Sequence, residues 1–168
     1  MQPNIYKLLL SFFGKYKLRT FAKGEIVVRP EDKKIFFLTK GAVRMFSKLN
    51  NSQLTINIYK PFSLFPMSLI LNNRQGSYIY DALFEVEGYF APKINFRKFL
   101  KDHQSIVLDL LKRIYVGLDG FFMRMETLLA GDAYLKVLTH LIIYSRRFGK
   151  NTKGKIIFDF SLTHEHLG

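Results

Sequence analysis

The chain has 168 residues, a formal net charge of +13 and no cysteine. That length allows one good core, or one domain with part of a second, and the lack of thiols excludes disulfides, cysteine-ligated zinc, iron–sulfur clusters and thiol redox sensing. A hydrophobic share of 48%, with 17 Phe and 9 Tyr, excludes disorder as the general state. No segment approaches eighteen uncharged apolar residues, and the apolar stretch around Phe62–Leu71 contains Pro and Ser, so no membrane span is expected. Met1–Gly14 has an apolar patch without a small-residue cleavage site, and cations follow it rather than lead it; it reads as an amphipathic start and not a signal peptide. A cytoplasmic location fits these features.

The positive charge has two readings: a polyanionic partner, most often nucleic acid, or solvated lysine-rich faces. Residues 1–60 carry twelve Lys/Arg against three acids (Glu25, Glu31 and Asp32), whereas residues 132–168 carry six against three. Most of the excess therefore lies in the first third of the chain.

In chain order, Ile5–Phe13 reads as a short helix or cap. Strands follow at Glu25–Pro30, Lys34–Thr39, Ala42–Lys48 (Val43, Met45 and Ser47 on one face) and Leu54–Tyr59 (Leu54, Ile56 and Ile58 on one face). Two more fall at Ser77–Phe84 and Val86–Ala91, with turn signals at Asn50-Asn51-Ser52 and near Asn72-Asn73. Short strands with close Gly, Pro and Asn punctuation predict an antiparallel roll or sandwich. Asn95 is the expected N-cap of a helix over Phe96–Lys101.

A long helix is expected over Ser105–Leu129. Val107, Leu111, Ile114, Leu118, Phe121, Met125 and Leu128 alternate spacings of four and three, a heptad seam held for three repeats. A second series runs Leu108, Tyr115, Phe122 and Leu129. Two apolar stripes on one helix predict that one packs on its own domain and the other on a partner chain; the competing reading is one broad core-facing stripe on a monomer. Gly117 and Gly120 interrupt good helix formers and suggest close backbone approach or a kink. Asp132 is the expected N-cap of a helix over Ala133–Arg147, ended by Phe148-Gly149. Lys150–Lys155 reads as a basic turn, Lys155–Phe160 as a strand, and Ser161-Leu162-Thr163 as the cap of a further helix.

Lys23-Gly24-Glu25-Ile26-Val27 and Phe37-Leu38-Thr39-Lys40-Gly41-Ala42-Val43-Arg44, with Gly41-x-Val43-Arg44 as the turn, resemble the opening of the β-roll of CRP/FNR-family regulators. The long helix is similar to that family's dimerisation helix, and Leu162-Thr163-His164-Glu165-His166-Leu167-Gly168 to the opening of its helix-turn-helix. The resemblance covers roughly residues 15–168. It implies an α+β chain: an antiparallel cyclic-nucleotide-binding-like β-roll (1–104), a dimerisation helix (105–131) and the start of a winged helix-turn-helix (132–168) that breaks off before the recognition helix. It also implies a cytoplasmic, homodimeric bacterial transcription regulator that binds DNA through the complete protein. Lys150, Lys153, Thr163 and His164 are the candidate DNA-backbone contacts, and the seam from Val107 to Leu128 is the candidate dimer interface.

The family's nucleotide cassette has a Gly-Glu pair and, about ten residues on, an Arg followed by Ser or Thr; backbone N–H groups and a guanidinium hold the phosphate. Here Pro66-Met67 stand in place of the pair, Pro66 lacks an N–H, and Ser77–Asp81 contains no Arg; Arg74 is out of register. Cyclic nucleotide binding in the usual mode is not expected. The candidate effector pocket is Phe62, Phe65, Met67, Leu71, Tyr78 and Tyr80, either filled by its own side chains or open to an apolar, aromatic or haem-like effector of unknown identity. His164 and His166 are badly spaced for chelation, His140 reads as packed or partly exposed, and His103 as a helix-boundary residue, so no metal or cofactor is expected. Glu85 and Glu87 share a strand face with no predictable His, Ser or Lys beside them, and no catalytic motif is present; an enzyme is not expected. The alternative to a regulator is a stand-alone cyclic-nucleotide-binding-like interaction module.

Overall fold

A computed structural model describes residues 3–49, 52–71 and 76–157. They fall in two compact units, Met1–Asp109 and Leu110–Gly168.

The first unit opens with α1 (Pro3–Phe13) and continues through β1 (Leu18–Phe21), β2 (Ile26–Val28), β3 (Lys34–Lys40), β4 (Val43–Leu49), β5 (Ser52–Tyr59), β6 (Leu64–Phe65), α2 (Met67–Leu71), β7 (Ile79–Ala82), β8 (Val86–Pro92) and α3 (Lys93–Lys101). The strands form two four-stranded antiparallel sheets, ordered β1-β8-β3-β6 and β2-β7-β4-β5. This is the antiparallel roll that the strand spacing predicts.

β3 explains how the layers hold together. Alternate side chains of a strand point to opposite faces. Phe36 and Leu38 join Val28, Val43, Phe65, Tyr80 and Val86 in the core between the sheets. Phe37 faces the other way, stacked 5.0 Å from Phe13 of α1. Phe12 and Phe13 also meet Phe96 of α3, at 5.6 and 5.3 Å. A strand buried on both faces has no polar alternation, which is why Ile35–Leu38 is wholly apolar and fully buried. At the β3–β4 turn Gly41 has φ +86°, and a Cβ there would collide with the Glu85 carbonyl, so a glycine is required on two counts.

Three short elements escape the periodicity. β1, β6 and α2 have four, two and five residues, too few to show a pattern. Asn95 is not a cap: α3 begins at Lys93 with Pro92 as its N-cap. The Asn95 amide instead donates to the Tyr16 hydroxyl at 3.1 Å. Of the expected turns, Asn50-Asn51 and Asn72-Asn73 lie outside the described residues.

Helix α4 (Gln104–Ala130) begins in the first unit and continues in the second. α5 (Ala133–Phe148) follows, with the predicted Asp132 N-cap accepting the Leu135 N–H at 2.8 Å. The Thr127 and Thr139 hydroxyls lie 3.3 Å apart between the two helices. The expected basic turn is a hairpin. β9 (Lys150–Thr152) pairs antiparallel with β10 (Lys155–Ile157), and Lys153 and Gly154 both take positive φ, 50° and 77°, as a two-residue hairpin turn demands. Residues 158–168, with the predicted helix-turn-helix opening, lie outside the described residues.

Candidate sensor site and helix interface

The six predicted pocket residues do not line one open cavity. Phe65 from β6 and Tyr80 from β7 are brought together between the sheets. Their rings stack at 5.0 Å, almost parallel, and both are buried. Tyr59 closes on them at 4.9 and 5.9 Å, and Phe36 meets Phe65 at 5.3 Å. Burial and the neighbouring Tyr59 raise the Tyr80 phenol above the usual tyrosine range. Phe62, with φ +72°, lies edge-on to Tyr6 of α1 at 4.5 Å. Tyr78 is exposed, Met67 opens α2 half-buried, and Leu71 ends α2 with its side chain outside what is described. The interior of the roll is thus occupied by its own aromatic side chains.

Among the described residues, the buried arginine of the roll is engaged within the chain. Arg44 on β4 stands opposite Asp81 on β7, on the sheet face away from Val43 and Tyr80. Its guanidinium donates to both Asp81 carboxylate oxygens, at 3.0 and 2.6 Å. It also donates to Gln53 at 2.9 Å and lies 4.6 Å from the Phe46 ring centre. Both side chains of the pair are about nine-tenths buried. Removing either partner would strand a buried charge. Arg44 was visible in the turn motif, but Asp81 lies 37 residues away, and only the strand register brings them together.

The two glutamates expected to be unaccompanied are not. Lys40 Nζ reaches Glu85 and Glu87 at 2.9 Å each, and these hydrogen bonds raise its pKa. Among the described residues no group of His, Asp and Glu is arranged to hold a metal. His103 Nδ1 donates to the Phe99 carbonyl at 2.8 Å, closing the end of α3. His140 is half-buried, and burial first, then Arg124, lowers its pKa.

On α4 the expected division of stripes does not hold. Val107, Leu111, Leu118, Phe121, Met125 and Leu128 are exposed, and so are Leu108, Tyr115, Phe122 and Leu129. Ile114 is half-buried. At 100° per residue the two series run side by side as one broad face, and neither is packed. The buried residues Ile106 and Leu110 belong to neither series. Among the described residues nothing lies within 4 Å of a Cβ at Gly117 or Gly120, so no close approach among them explains those glycines. No described helix is long and apolar enough to cross a membrane. On the β9–β10 hairpin Lys150, Lys153 and Lys155 are exposed, while Thr163 and His164 lie outside the described residues.

The profile of the cyclic nucleotide-binding domain matches residues 18–103. The global nitrogen regulator of Synechocystis sp. is 26% identical over 155 residues, 89% of this chain and 69% of that protein. Among solved structures, a mutant CooA from Carboxydothermus hydrogenoformans superposes with a TM-score of 0.71 at 16% identity, covering 87% of this chain and 65% of that one. The catabolite activator protein of Thermus thermophilus gives 0.62 at 18% identity, covering 88% and 69%. The chain spans about two thirds of the length of each. The roll followed by the long helix is the arrangement these regulators share.

Proposed function

Given that the chain belongs to the cyclic nucleotide-binding domain family, we propose that it is the sensor and dimerisation part of a cytoplasmic, homodimeric, DNA-binding transcription regulator of the CRP/FNR type. The observation that carries this reading is the face of α4. Some ten apolar side chains from Val107 to Leu129 are exposed along one continuous strip, far more than a solitary helix leaves in water. A second copy of the same helix, related by a two-fold axis, covers it with the same residues from both sides. In that arrangement Val107, Leu111, Ile114, Leu118, Phe121, Met125 and Leu128 form the interface. Lys150 and Lys153, with Thr163 and His164, meet the DNA phosphates.

Cyclic nucleotide is not bound in the family's usual mode. Pro66-Met67 replace the nucleotide-binding pair, Phe65 and Tyr80 fill the interior, and the buried Arg44 guanidinium is committed to Asp81. Light scattering at micromolar concentration tests the quaternary reading: the expected mass is twice the 19.7 kDa of the chain, and a strict monomer contradicts it. Calorimetric titration with cyclic AMP tests the ligand reading. No binding is expected at concentrations up to about 1 mM, and a micromolar dissociation constant, about 8 kcal/mol of binding free energy, contradicts it.

A further inference from the structure

At the end of the roll marked by β1, two adjoining surface clefts share Arg19, Lys34 and Phe90. Their volumes are about 320 and 210 Å³. We propose that they form one binding site for a small organic anion with a flat aromatic part.

The register explains how the site is built. Arg19 pairs with Gly88 and Phe21 with Val86 between β1 and β8, while Lys34 pairs with Pro92 and Phe36 with Phe90 between β3 and β8. Because strands alternate faces, Phe21, Phe36 and Phe90 share one face with Arg19 and Lys34. The rings form a floor continuous with the core: Phe90 is 4.8 Å from Phe36 and 6.2 Å from Phe21. The two cations stand at its open end from the strands on either side of β8, and Lys17 joins them at the second cleft. Among the described residues none of Lys17, Arg19 and Lys34 is in an ion pair. Asp32 is the acid of the lining, and its Oδ2 already accepts the Arg29 N–H at 2.8 Å.

Net positive charge above an aromatic floor fits a carboxylate or phosphate joined to a ring. The ring takes the apolar floor and the anion takes the guanidinium and ammonium donors. The site lies at the far edge of the sheet from Phe65. β1 and β6 are opposite edges of the same four-stranded sheet, about 14 Å apart at ordinary strand spacing. It also accounts for part of the positive excess in residues 1–60 that DNA contact by residues beyond 132 leaves unexplained.

The test is an NMR titration of the full chain with phenyl phosphate, beside inorganic phosphate and benzene as the two halves of the probe. Saturable shifts at the Thr20 and Phe90 amides are expected, with phenyl phosphate binding about tenfold or more tighter than inorganic phosphate. The double variant Arg19→Gln/Lys34→Gln, whose changes lie at exposed positions, is expected to weaken phenyl phosphate about tenfold or more. Lys48→Gln, exposed on β4, leaves it unchanged. Three results overturn the proposal: no shift at these amides at about 10 mM phenyl phosphate, equal affinity for inorganic phosphate, or a double variant that binds like the unaltered chain while retaining its thermal midpoint.

Discussion

The β-roll and helix α4 draw on the same kinds of apolar side chain and place them oppositely. In the roll, Phe36, Phe65, Tyr80 and Tyr59 lie against one another between two sheets, and little of them reaches solvent. On α4, Phe121, Phe122, Tyr115, Leu111 and Leu118 stand exposed. The difference is one of geometry. A strand in a two-layer roll has an opposing sheet to bury its inward residues. The apolar face of a 27-residue helix extends past what one small unit can cover. The roll completes its own core, whereas the helix leaves its apolar face exposed. The aromatic side chains that fill the roll and the bare face of α4, proposed above as the meeting surface of two copies, thus divide the apolar content of the chain between them.

The comparison can be broken first inside the roll. Phe65→Ala removes a fully buried ring from the aromatic stack, and the expected cost is about 3–5 kcal/mol in denaturant unfolding. If the interior is closed packing, a small aromatic such as benzene at millimolar concentration partly restores the thermal midpoint of this variant and leaves the unaltered chain unmoved. A benzene response of equal size in both would place an open cavity in the native roll. Asp81→Ala comes next. It leaves the Arg44 guanidinium buried without its carboxylate, at a cost of about 3–5 kcal/mol. Replacing both partners by apolar residues of similar size recovers most of that loss, and a double variant as unstable as the single one would contradict the assignment of the cost to an unpaired charge.

The fold was legible where a pattern had length. The alternation at Leu54–Tyr59, the run at Ile35–Leu38 and the spacing from Val107 to Leu128 each gave the right element. β1, β6 and α2 were too short to carry a period, and Asn95 drew a cap assignment that Pro92 and Lys93 supply one turn earlier. The site was legible in part: Phe65 and Tyr80, grouped in the sequence reading, stack against each other. The same reading also grouped Phe62 and Tyr78 with them. Tyr78 lies before β7, which begins at Ile79, and Phe62 takes positive φ and packs on Tyr6, so neither joins the stacked pair. Long-range pairs such as Arg44–Asp81 and Lys40 with Glu85 and Glu87 depend on register, which no local pattern encodes. On α4 the heptad seam and the second series lie adjacent at 100° per residue, so dividing them between the chain's own domain and a partner left out the single broad exposed face that they form.

In the helical part the expected effects are smaller. Asp132→Ala removes the cap that accepts the Leu135 N–H and should cost about 1 kcal/mol, while Asp132→Asn should cost less; equal losses would argue against a capping role. The smallest effect concerns pH. Because burial holds the His140 pKa below its unfolded value, protonation favours the unfolded chain. The contribution of this residue to stability is full above the unfolded histidine pKa and is lost as pH falls through the lower folded value. Urea midpoints measured across that range should fall with acidity less steeply in His140→Gln than in the unaltered chain, and parallel curves would contradict the shift.

The central claim, that the bare face of α4 is where two copies meet, can be tested directly because the chain has no cysteine. A single Leu118→Cys places one thiol on the seam, and Lys112→Cys places one on the far side of the same helix. In a two-fold parallel pairing each seam residue faces its own copy. Mild oxidation at micromolar concentration should therefore convert most of Leu118→Cys to a disulfide-linked dimer and leave Lys112→Cys largely monomeric on a non-reducing gel. Equal yields from the two positions, or no dimer from Leu118→Cys, would contradict the account.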